Sequence, residues 1–193
     1  MPRRAVLSDE QRMALLALPD DETTLVQHWT LSEDDLAIIV RRRRPHNRLG
    51  FAIQLCALRY PGRLLRPGEL IPDTPLAFVA EQLQIAPEVL ADYATRGPTR
   101  YEQLDALREG FGFTQFSRPL RAALQEWLLP IALTTTSGAG LARSLLGECR
   151  RRRIIVPGIS SVERMVAQAL LDAERHVAEH LTRGLETGQR RLL

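Results

Sequence analysis

Apolar residues recur three and four positions apart along most of the chain, and turn residues cut this helical pattern into segments. Ser8 followed by Gln11 has the form of a capping box, opening a short helix that stops before Pro19. The acidic group Asp20-Asp21-Glu22 marks another helix start. Ser32 with Glu33, Asp34 and Asp35 marks a third, whose expected end carries Arg41 to Arg44 so that both termini complement the macrodipole. Pro45 stops that helix and opens the next, over His46 to Tyr60. Helices are predicted over 75–84, 87–94, 99–109 (after a turn at Arg96-Gly97-Pro98), 118–132 and 141–153. The run Ile154-Ile155-Val156 is too short to classify. Ser160 and Glu163 have the form of a second capping box, opening a long helix to about Leu185. Its apolar positions are Val162, Met165, Val166, Ala169, Ala173 and Val177. Four prolines and two glycines between Pro61 and Pro75 form the clearest break. The expected fold is all-α: a helical unit over 1–66, a proline-rich linker over 67–75, and a second unit over 76–193 carrying the long helix.

Composition agrees. With 193 residues, 45% hydrophobic and 25% charged, the chain has the makings of a packed core and is not a disordered segment. Its 32 leucines and 5% aromatic content favour helices over sheet. Cys56 and Cys149 sit in apolar helical contexts 93 residues apart, which suits two free thiols in a reducing compartment. No apolar stretch reaches membrane-spanning length, and acids follow Arg3 and Arg4 too closely for a signal peptide, so a cytoplasmic location is expected. No terminating signal precedes Leu193, as expected of a piece of a longer protein.

Charge changes the picture more. All 26 basic residues are arginine, and the net charge of +3 conceals blocks. Residues 41–68 hold eight arginines and no acid, while residues 1–40 sum to −5 and residues 127–154 to +4. GC-rich coding accounts for arginine in place of lysine, but not for this clustering. Basic islands in a balanced chain point to a polyanionic partner.

The richer island runs Arg41-Arg42-Arg43-Arg44-Pro45-His46-Asn47-Arg48. At 100° per residue, Leu49, Ala52, Ile53, Cys56 and Tyr60 gather on one helix face. His46, Asn47, Gly50 and Gln54 form a polar or small stripe, and Arg48 and Arg59 share a third line. Asparagine and glutamine side chains bond adenine edges in the major groove, and arginine bonds guanine. The glycine would let a ligand approach the backbone closely. Arginines before the helix would grip phosphates; four such contacts give a slope of log K against log salt of about −3.6. The alternative is a basic helix end beside a buried helix whose polar stripe merely faces water. The second island, Arg150, Arg151, Arg152 and Arg153, reads as another phosphate grip or as charge favoured at a helix C-terminus. Phe111, Phe113 and Phe116 fit core packing better than base stacking.

The stretch RRRPHNRLGFAIQ at 42–54, continuing as LCALRYPGRLL, resembles the N-terminal region of transposases from class II replicative transposons, the Tn-three group. The likeness continues through PLAFVAEQLQI at 75–85, REGFGFTQF at 108–116, ECRRRRIIVPG at 148–158 and ERMVAQALLDAERHV at 163–177. It implies a helical region that binds double-stranded DNA at the transposon's terminal inverted repeats. In that family the acidic catalytic residues lie in a separate, later domain, so strand cleavage is not expected of this chain. The first DNA-contact surface is then Arg41 to Arg48 with Arg59 and Arg63, with Asn47, Arg48 and Gln54 reading base edges. Other expected partners are the remainder of the transposase and no membrane; a homodimer stays open. The alternative is a helical interaction or regulatory module without specific DNA binding.

Other patterns carry less. His176-Val177-Ala178-Glu179-His180 spells an inverted zinc-peptidase motif, but the one acid left downstream, Glu186, is badly placed as a third ligand. Ser137-Gly138-Ala139-Gly140 lacks the residues of a phosphate-binding fingerprint and reads as a helix-entry loop. No metal, cofactor or catalytic residue is assigned.

Overall fold

The structure, a computed structural model, describes residues 6–93 and 97–182. Arg96 of the expected turn, Glu186 and the expected helix end near Leu185 lie outside these residues. The helices are α1 (Asp9–Leu15), α2 (Glu22–Trp29), α3 (Glu33–Ile39), α4 (Pro45–Arg59), α5 (Asp73–Leu83), a 3-10 helix (Pro87–Asp92), α6 (Gly97–Phe111), α7 (Arg118–Ala132), α8 (Gly138–Arg151) and α9 (Ile159–Thr182). Among the described residues there is no strand beyond an isolated parallel bridge between Thr114 and Ile154. The fold is all-α.

Local side-chain chemistry sets the starts of the first three helices. The Ser8 box forms: Gln11 N–H donates to Ser8 Oγ at 3.2 Å, and Ser8 N–H donates to Gln11 Oε1 at 3.0 Å. Asp21 caps α2 by accepting from Thr24 N–H at 2.9 Å. Ser32 and Asp35 form a reciprocal capping box on α3. Two expectations need correction. Helix α3 stops at Ile39, so Arg41 to Arg44 form the turn after it and not its last turn. The Ser160 box does not form, because Gly158 O accepts from Ser161 and Val162 N–H and Ser160 already lies inside α9. Glu163 instead pairs with Arg12 at 3.3 Å.

The chain divides into two compact units, but not at residues 67–75. One unit gathers Leu16–Phe116 with Glu148–Val156. Its centre is α4, packed against α2, α3, α5, the 3-10 helix and α6. Every residue of α4 from Leu49 to Leu58 is buried. The segment expected to be a linker turns back tightly, with Glu69 N–H donating to Arg66 O at 3.2 Å and Gly68 at φ +69°. Helix α5 then rejoins the same core through Val79 and Ala80. Its Gln82 fixes that junction: Oε1 accepts from Leu31 N–H at 2.8 Å, and Nε2 donates to Trp29 O at 3.3 Å. The prolines and glycines shape a turn within one core and do not separate two.

The other unit gathers Ser117–Gly147 with the described parts of Met1–Leu15 and Pro157–Leu193. Helices α7 and α9 pack together, burying Leu124 and Leu128 against Val162, Met165, Val166 and Ala169. Gln125 Nε2 donates to Met165 O at 3.0 Å across this contact. Val177, expected on the buried face of α9, is 46% exposed.

One close approach is decisive for α4. A Cβ added to Gly50 would lie 2.2 Å from ring atoms of Tyr93, so this glycine admits the residue after the 3-10 helix and not an external ligand. Gly50→Ala is therefore expected to lower unfolding free energy in urea by about 1–3 kcal/mol through overpacking. Gly110→Ala, whose added Cβ meets nothing within 4 Å, is expected to be neutral or to stabilise by up to about 1 kcal/mol. Equal losses at the two positions would contradict this packing.

Candidate nucleic-acid interface

Pro45 stands at the first position of α4, preceded by Arg44 as an N-cap that makes no side-chain hydrogen bond. Asn47 and Arg48 N–H donate to Arg44 O at 3.0 Å each. Arg48 Nε donates to Arg42 O at 2.7 Å, holding the preceding turn against the helix start. Arg42 folds inward, its guanidinium 4.3 Å from the Phe51 ring centroid and its buried Nε without a hydrogen-bond partner. This cation–π contact adds about 1–2 kcal/mol where desolvated. Arg41, Arg43 and Arg44 are exposed and have no ion-pair partner among the described residues. His46 and Asn47 are half-buried beside them on the first turn of α4. The structure thus brings Arg41, Arg43, Arg44, His46, Asn47 and Arg48 to one corner.

It removes others from that corner. Gln54 is 2% exposed and lines a cavity of about 620 Å³ with Ile53, Leu65, Leu76 and Leu90. Its Nε2 has no partner among the described residues. Buried in the middle of α4, Gln54 does not reach a duplex lying on the surface, which corrects its expected role as a base reader. Arg59 Nη2 donates to Asp35 Oδ1 at 2.6 Å, and the Asp35 side chain is 3% exposed. Burial alone would raise the Asp35 pKa. Hydrogen bonds from Arg59 and Ser32 outweigh it and hold the carboxyl below its usual range. Arg63 is spent locally as well: Nε donates to Leu16 O at 2.7 Å, and Nη1 and Nη2 grip Glu69. Neither arginine is a free phosphate grip.

The second island is likewise not a continuous basic stripe. Arg151 Nε and Nη2 donate to the two Glu148 oxygens at 2.7 Å, and Arg152 Nε donates to Oε1 at 2.6 Å. Glu148 is buried, and these contacts, Arg151 foremost, lower its pKa from 4.5 to about 2. Arg150 and Arg153 turn elsewhere, donating to Pro61 O at 3.3 Å and Phe111 O at 2.8 Å. Phe111 and Phe113 pack against the core of this unit, as expected.

Sequence reasoning missed the partners more than the arginines. Glu148 lies three and four residues before Arg151 and Arg152, a helical spacing that foretells the pairing. Glu69 closes the acid-free block by one residue and is reached across the turn. Asp35 and Phe51 leave no such local signal, since they meet Arg59 and Arg42 through packing.

Among the described residues, no group of three or more His, Cys, Asp or Glu is arranged to hold a metal ion. No described helix is long and apolar enough to cross a membrane.

The fold and this corner define an all-helical domain that presents an unpaired arginine turn at the end of a buried helix. The family model described as "Domain of unknown function (DUF4158)" matches residues 6–169, and the chain belongs to that family. The chain is 41% identical over 193 residues to "Transposase for transposon Tn21" of Escherichia coli, covering 100% of this chain and 20% of that protein. It is 37% identical to "Transposase for transposon Tn501" of Pseudomonas aeruginosa, covering 98% and 19%. To "Transposase for transposon Tn1546" of Enterococcus faecium the identity is 33%, again covering 98% and 19%. The resemblance to the N-terminal region of these transposases extends over the chain, which spans about a fifth of the length of the curated relatives it matches.

Two outcomes follow from the ion pairs. Arg59→Met strands the Asp35 carboxylate and is expected to destabilise the fold by about 3–5 kcal/mol in urea unfolding. An effect on DNA affinity without a loss of stability would contradict the pairing. Glu148 has a folded pKa below its ordinary value, so its contribution is complete above pH 4.5 and disappears as pH falls toward 2. Glu148→Gln should therefore flatten the pH dependence of the melting temperature in that window; an unchanged slope would refute the assignment.

Proposed function

We propose that the chain binds double-stranded DNA at the terminal inverted repeats of a replicative transposon, as the N-terminal part of its transposase. The carrying observation is the exposed, unpaired trio Arg41, Arg43 and Arg44 at the N-terminus of α4. Three guanidinium groups and the positive end of the helix dipole suit phosphate groups flanking a groove. Because α4 is buried from Leu49 onward, it approaches the groove end-on, with His46 and Asn47 nearest to base edges. Arg48 positions the turn through the Arg42 carbonyl. The likeness to transposases over about a fifth of their length supports this division of labour, with strand cleavage and joining left to the rest of the transposase.

A second reading, a helical protein-interaction module, draws on a groove of about 1220 Å³ along the end of α9. There Val177 is 46% and Leu181 70% exposed.

A mobility shift with the cognate transposon end and a scrambled duplex separates the two. The DNA reading expects preference for the cognate end and a log K against log salt slope of about −2.7 from three phosphate contacts. Arg43→Ala with Arg44→Ala should reduce the slope to about −0.9 and weaken both duplexes evenly. Asn47→Ala should narrow the preference by about 1–3 kcal/mol. Equal, weak binding to both duplexes would overturn end recognition and favour the second reading.

A further inference from the structure

A cleft of about 200 Å³ is lined by Leu58, Arg59, Phe111, Phe113, Arg150 and Arg153. Three guanidinium groups and two aromatic rings border it, and no carboxylate is among the lining residues. The backbone builds it firmly. Thr114 N–H donates to Arg153 O at 2.8 Å and Ile155 N–H to Thr114 O at 2.9 Å, fixing the segment that carries Arg153 beside the one that carries Phe113. Arg59 lies 6.0 Å from the Phe111 ring centroid, and Arg150 lies 5.0 Å from that of Tyr60.

The charges do not balance. Arg59 has Asp35 as its counter-charge. Arg150 and Arg153 have no carboxylate partner among the described residues, and each gives a single N–H to a backbone carbonyl. A guanidinium carries five donors in a planar fork, so most of theirs remain for a ligand. Arg150 is also half-buried, and burial lowers its pKa.

We propose that this cleft binds a phosphate group, as a free phosphate or as an ester of a nucleotide or a nucleic-acid backbone. Several guanidinium forks lining one cleft match an oxyanion with multiple acceptor oxygens. The two rings offer an apolar wall to the esterified sugar or base. The volume takes one phosphate and part of what it esterifies, and falls short of a drug-sized ligand. The site is separate from the Arg41–Arg44 turn and does not depend on recognition of transposon ends.

Inorganic phosphate is titrated into the full chain at constant ionic strength while arginine Nε–Hε NMR signals are followed. Saturable shifts of the Arg59, Arg150 and Arg153 signals with one common affinity are expected. Arg153→Gln should weaken phosphate binding about tenfold, the loss of one charge-assisted hydrogen bond. Arg143→Gln, on an exposed arginine outside the cleft, should leave it unchanged. Non-saturating shifts spread over all arginines would overturn the proposal, as would unaltered binding by a folded Arg153→Gln chain. If that variant does not fold, the wild-type titration alone decides. A duplex of unrelated sequence that displaces phosphate identifies the nucleic-acid backbone as its source. A mononucleotide that displaces it where the duplex does not identifies a free nucleotide, and displacement by neither identifies phosphate itself.

Discussion

Burial of α4 on every side from Leu49 to Leu58 constrains what the arginine-rich half of the chain can do. A helix packed against α2, α3, α5, the 3-10 helix and α6 has no lengthwise face to lay in a groove. It has two ends. At the C-terminal end Arg59 is locked to Asp35, and Trp29 Nε1 donates to Tyr60 O at 2.9 Å. At the N-terminal end the chain emerges through Pro45, with exposed arginines before it and His46 and Asn47 on the first turn. Any contact this helix makes to base edges is therefore made by its N-terminal tip.

The eight arginines between residues 41 and 68 form an acid-free block along the sequence, but not in space. Folding brings Asp35 to Arg59 and Glu69 to Arg63, and lays Arg42 on Phe51. What remains exposed and without an ion pair among the described residues is Arg66 and the trio Arg41, Arg43 and Arg44, and the trio stands together in one turn. The clustering of arginine was legible in the sequence. Its division into structural and free members was not, because the partners of Arg59 and Arg42 lie 24 residues before and 9 residues after them and meet them only through tertiary packing.

The helices were legible where side chains cap them locally: Ser8 with Gln11, Asp21, Ser32 with Asp35, and Pro45. The same local logic failed at Ser160, where Gly158 opens the helix two residues early, and at Gln54 and Gly50, which look like a polar stripe. A stripe of one glutamine and one glycine marks solvent only if nothing packs on it. Here Tyr93 covers Gly50, and Gln54 is buried where it lines a cavity with Leu65, Leu76 and Leu90. The break at 67–75 misled for a related reason: turn residues announce a change of direction, and say nothing about whether the next helix returns to the same core.

Backbone amide NMR shifts, recorded as a cognate terminal-repeat duplex is added, test the proposed meeting of DNA with the tip of α4 residue by residue. Saturable perturbation concentrated over residues 41–48 is expected, with the buried span 49–58 little changed. Saturable binding that leaves 41–48 silent and perturbs the groove at Val177 and Leu181 instead would contradict it.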